Sequence, residues 1–177
     1  FYFLQKISWL GQVTELTETA VFPSPRLSDR VPFGTGKAIG DFIELQKQNT
    51  YRLQAYQDVE WLINQTEILW SASRFAEPAP EPLARFLGED FLKTVLPEIR
   101  ENSTDLKKFC KRFFRWFNAF RLMKYLNYAR DKAYGPAQVE AAAVALLYRM
   151  GCPAENENAA ELLKRYRQLD RDSKVKK

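Results

Sequence analysis

The chain has 177 residues, of which 46% are hydrophobic and 14% aromatic, enough to bury a core and too apolar for a disordered chain. Its net charge is +5, with two cysteines and no histidine. This composition sets aside a disulfide scaffold, a histidine-ligated metal site and a histidine general base.

Residues 1–21 carry a helical apolar pattern through Leu4, Ile7, Trp9, Leu10, Val13 and Leu16. Phe22-Pro23-Ser24-Pro25 ends it, and residues 23–40, rich in proline and glycine, read as a long ordered loop. A helical pattern then runs from about Lys37 to Phe75, with a break near Asn49-Thr50. Three alternating prolines at 78, 80 and 82 predict a stiff linker over 77–82, dividing an N-terminal region, 1–76, from a C-terminal region, 83–177. A helix over roughly 82–96 should stop near Pro97. The next should open on Ser103 as N-cap and run to about Ala133, where Tyr134-Gly135-Pro136 breaks it. Pro136 suits the first turn of an alanine-rich helix reaching Met150, and Gly151-Cys152-Pro153 closes that helix. A last helix spans about Glu155 to Leu169, with a basic tail after it. No strand signal is present, so the fold class is all-α, a helical bundle of about six or seven helices.

Charge is polarised along the chain. Residues 105–124 hold seven Lys/Arg against one acid, and residues 161–177 hold seven against three, so the remainder is net negative. On a helix of about 100° per residue, Leu106, Phe109, Cys110, Phe113, Phe114 and Phe117 share one arc, and Lys107, Lys108, Lys111, Arg112 and Arg115 share the opposite one. Like charges at i, i+4 repel, and no Asp or Glu lies between 106 and 130 to relieve them. Such a row suits a polyanion. It also suits pairing with the acids of 77–105 or of a partner protein, or plain solvation. Beyond Phe117, apolar residues surround the helix, which predicts central burial or cover by a partner. Arg121 and Lys124 there, and Lys164, Arg165 and Arg167 near the end, complete the candidate nucleic-acid-binding residues.

Other motifs fail on spacing. Gly34-Thr35-Gly36-Lys37 lacks the earlier glycine and the following Ser/Thr of a phosphate loop, since position 31 is Val and 38 is Ala. Asn64-Gln65-Thr66 and Asn102-Ser103-Thr104 match a glycosylation pattern by chance. Glu89-Asp90 has no His or Cys companion. No cofactor or metal site, and no enzymatic activity, is expected. No run of 18 apolar residues predicts a membrane span, and two lone cysteines suit a reducing, cytoplasmic setting. The first residue is Phe1 rather than Met, as in a fragment or trimmed product.

The Lys107–Arg115 face, the aromatic helix running on through residues 117–122 and the basic end at Lys164-Arg165-Tyr166-Arg167 resemble, with size and helicity, the small subunit of CRISPR effector complexes. In some type I systems that subunit corresponds to the C-terminal part of the large subunit. The resemblance implies a domain that lines a ribonucleoprotein beside other protein subunits. It would hold an RNA or single-stranded DNA backbone without reading sequence, binding rather than cutting. The alternative expectation is a helical protein-interaction module that docks on an acidic partner, with Trp9, Trp61, Trp70 or Trp116 as anchors.

Overall fold

The computed structural model describes residues 49–154 and 157–175, with Ile39, Gly40 and Ile43, which are helical. The chain divides into two compact units, Phe1–Gln48 and Asn49–Lys177. The helices and strands numbered here belong to the second. The readings for 1–21 and most of 23–40, including Trp9 and the Gly34–Lys37 motif, lie outside the described residues, as do Lys176 and Lys177.

Among the described residues the fold is all-α apart from one small sheet. Strand β1, Asn49–Tyr51, leads into α1, Leu53–Asn64, and α2, Thr66–Ala72. The break between the helices falls at Gln65, a buried residue whose Oε1 accepts from the Ala76 amide at 3.0 Å. That bond, with the Trp61 indole N–H donating to Glu77 at 2.8 Å and the Trp61–Phe75 ring contact at 5.0 Å, folds residues 73–77 back onto α1. The linker at 77–82 follows, and Pro82 sits in the first turn of α3, Glu81–Leu87. The linker does not divide the core. Leu62 and Leu69 before it share one cluster with Leu83, Phe91, Leu96, Phe109 and Phe113 after it.

Gly88, at φ 71°, ends α3. A single wide π turn, Phe91–Val95, then feeds α4, Leu96–Glu101. Pro97 was expected to stop a helix here, yet it lies in the first turn of one. The wide turn explains this: the Leu96 N–H bonds back to the Phe91 carbonyl, which shifts the ladder where Pro97 has no N–H to give.

The expected single helix over 103–133 is split into a pair. Ser103 is not its cap, because the buried hydroxyl donates to the Ile99 carbonyl at 2.6 Å and closes α4 instead. Asp105 opens α5, Leu106–Trp116, its carboxylate accepting from the Lys108 amide at 2.8 Å. Asn118 then interrupts, its Oδ1 accepting from the amides of Phe120 and Arg121 at 3.0 and 3.1 Å, and so caps α6, Ala119–Ala129. A second π turn, Arg130–Tyr134, ends the run.

Strand β2, Pro136–Gln138, pairs antiparallel with β1, Tyr51 opposite Pro136 and Asn49 opposite Gln138. Pro136 thus begins a strand, where its missing N–H is tolerated, rather than a helix. Helix α7, Val139–Arg149, follows, and Gly151 at φ 72° closes it, with the Cys152 amide reaching the Leu147 carbonyl at 2.9 Å. Helix α8, Ala159–Val175, starts on a reciprocal cap: Asn158 accepts from the Ala160 and Glu161 amides while Glu161 accepts from the Asn158 amide at 2.8 Å.

Candidate nucleic-acid interface

Helix α5 is anchored by phenylalanines. Phe109, Phe113 and Phe117, spaced by four, are buried, with ring centroids 6.0 and 6.4 Å apart in turn. Trp70 of α2 packs on Phe109 at 5.5 Å and Phe91 stacks on Trp116 at 5.0 Å. This apolar seam fixes the rotation of α5, and Lys107, Lys108, Lys111, Arg112 and Arg115 are therefore all exposed. Phe114, also on the sequence's apolar arc, stays partly exposed beside the Lys107–Lys111 row.

The acids of 77–105 leave this face largely uncovered. Glu77 accepts from Trp61, Glu81 pairs with Arg85 and Glu89 with Lys93. Asp105 approaches Lys108 at 3.7 Å while holding the helix cap. The Lys108 amide, then Thr104, keep the Asp105 carboxyl below the usual carboxylate range. Lys107, Lys111, Arg112 and Arg115 form no ion pair with any described residue. Four cations without an ion-pair partner among the described residues therefore lie along roughly two and a half helical turns, at the cost of a few tenths of a kcal/mol for each like-charge pair.

The other sequence-predicted residues divide. Arg121 is half-buried, its guanidinium 4.1 Å over the Trp116 ring and its Nε donating to the Trp116 carbonyl at 3.2 Å. Burial holds its pKa below the ordinary arginine value. Arg121 thus ties α6 to the end of α5 and is not displayed for a phosphate. Replacing it with alanine should lower stability by about 1–2 kcal/mol, read by denaturant titration, and leave the salt dependence of polyanion binding unchanged. Lys124 is exposed, its ammonium 4.7 Å over the ring of Phe120, itself 57% exposed. The far side of α6 buries Tyr125, Leu126 and Ala129, so the helix is covered on one side rather than all round.

On α8, Lys164 and Arg167 are exposed, whereas Arg165 pairs with Glu157. Helix α8 packs on α7, while α5 packs on α2 and α4. The two basic clusters sit on helices with different neighbours.

A buried polar trio escaped the sequence reading. Asp58 is 6% exposed, and its Oδ2 accepts from the hydroxyls of Tyr125 and of Tyr134, the latter at 2.8 Å. Burial first, then the bond to Asp58, push both tyrosine hydroxyls above their ordinary pKa. The signal was present in sequence: Asp58 sits within the apolar stripe Ala55, Val59, Leu62 of α1. The trio binds α1 to α6 and to the π turn at Arg130–Tyr134.

Trp61, Trp70 and Trp116 all pack against the core, which removes them as exposed interface anchors. Exposed apolar side chains occur on other helices. Val144, Leu146, Tyr148 and Met150 at α7, with Leu163 on α8, are exposed, Tyr148 at 76%. No group of three His, Cys, Asp or Glu residues that could hold a metal occurs among the described residues, and no helix there is long and apolar enough to cross a membrane. Comparison with protein families, curated proteins and solved structures finds no match to this chain.

Proposed function

We propose that the protein is a non-catalytic nucleic-acid-binding subunit whose α5 face follows a phosphate backbone without reading its sequence. One observation carries this: Lys107, Lys111, Arg112 and Arg115 are exposed along a single arc, with no acid among the described residues paired to them. Aligned cations of this kind release counterions from a nucleic acid on contact, which makes binding strong at low salt and indifferent to base order. Size, helicity and charge support a setting like that of the small subunit of a CRISPR ribonucleoprotein. The ligand is an RNA or single-stranded DNA backbone, held beside other protein subunits.

The test is a fluorescence-anisotropy titration of the whole chain with labelled strands of several sequences. Binding should be similar across guanine-free strands of different sequence and fall steeply as salt rises. No binding at low ionic strength would remove the reading.

A second reading is favoured by a separate observation. Val144 and Tyr148, one turn apart on one face of α7, are exposed large apolar side chains, and exposed apolar groups of this kind occur at contacts with other proteins. A protein-interaction module would use this pair. The two readings occupy different helices, and a subunit of a larger complex would use both.

A further inference from the structure

Beside the basic face, a cleft of about 340 Å³ opens between α4 and α5, within the range of small-molecule sites. Val95 and Ile99 give it an apolar floor, and its walls differ in kind. The α5 wall carries Arg112 and Arg115, which only donate hydrogen bonds. The α4 wall carries the Glu98 carboxylate, which only accepts, and Asn102. Asn102 spends its amide N–H on the Glu98 carbonyl at 2.9 Å, which leaves its side-chain oxygen as a further acceptor. Glu98 forms no ion pair with either arginine, although all three line the same cleft. The indole of Trp116 is already engaged by Phe91 and by Arg121, so it offers the cleft an edge rather than a stacking platform.

A track for phosphates alone has no use for Glu98, whose charge opposes them. A ligand that is anionic at one end and carries adjacent N–H donors at the other uses both the arginines and Glu98. We infer that this cleft takes an unpaired guanine nucleotide of the bound strand. Its phosphate lies against Arg112 and Arg115, and its N1–H and exocyclic amino group donate to Glu98. Uracil and thymine present one N–H on that edge, and adenine and cytosine present only an amino group, so guanine alone fills both carboxylate oxygens.

This rests on the reading of the α5 face as a nucleic-acid interface, and the test separates the two. Three uridine-rich strands of equal length are compared: one with isolated guanosines, one with inosines that lack the amino group, and one of uridine only. Inorganic polyphosphate serves as a base-free competitor. The wild-type protein should prefer the guanosine strand to the inosine strand about fivefold or more. Glu98→Gln should abolish that preference while tightening the hold on polyphosphate and the uridine strand, because a negative charge has gone. Equal binding of all three strands by the wild type, or uniform tightening by Glu98→Gln, overturns the guanine site and leaves the backbone reading standing. Failure of polyphosphate and every strand to bind overturns both.

Discussion

Replacing Lys111, Arg112 and Arg115 together by glutamate should weaken binding to nucleic acid of every sequence and make what remains less sensitive to salt. The three side chains are exposed and none forms an ion pair among the described residues, so their loss breaks no salt bridge there. Each phosphate contact on a single strand contributes roughly 0.7 to the slope of log affinity against log salt, so three lost contacts should flatten it by about 2. The fold should tolerate the change within about 0.5 kcal/mol, as surface substitutions usually do. Glutamate at 111 would even meet Lys107 at i, i+4, turning a repulsive pair into an attractive one. Anisotropy titrations of wild type and variant at several salt concentrations give both slopes. An unchanged slope in the triple variant would show that the phosphates lie elsewhere.

The second large effect lies in the core. Asp58→Ala should destabilise the protein by about 2–4 kcal/mol, because the hydroxyls of Tyr125 and Tyr134 lose their acceptor, and the former is fully buried. Tyr125→Phe removes one bond to a charged acceptor and should cost about 1.5–3 kcal/mol. The trio also fixes a pH dependence. The folded protein holds the Tyr125 proton above the ordinary tyrosine pKa of about 10, whereas the unfolded chain releases it there. Above that pH the unfolded state therefore binds fewer protons, and stability falls as pH rises. Tyr125 alone should contribute a slope of about 1.4 kcal/mol per pH unit, with none below pH 10. Urea titrations at pH 8, 10 and 11 measure the slope, which should shrink in Tyr125→Phe. Equal slopes in the two proteins would mean that the Tyr125 hydroxyl is not held by the fold.

The features of this molecule that were legible in sequence are those written in local periodicity. The two arcs of α5 follow from where Lys, Arg and Phe recur, and the structure buries Phe109 and Phe113 and exposes the cations as that pattern requires. The closure of α7 at Gly151 was legible because a left-handed residue after a helix is a local signal. What was not legible depends on competition or on distance. Asn118 breaks a strongly helical run without glycine or proline, because its side chain outcompetes the ladder for two amides. Pro97 fails to stop a helix because the turn before it widens. The β1–β2 pair joins residues far apart in the chain, through strands too short to show alternation. The seat of Arg121 over Trp116 joins the ends of two helices and leaves no mark in periodicity. Asp58 finds its partners 67 and 76 residues away, beyond any local pattern.

In the proposed function, one arc of α5 meets the ligand. Lysine acetylation read by mass spectrometry, with and without a saturating single strand, tests it residue by residue. Lys107, Lys108 and Lys111 should be protected by the strand, while Lys93 and Lys132, exposed on other elements, should react as before. Protection spread evenly over all five lysines, or absent from Lys107 and Lys111, would contradict it.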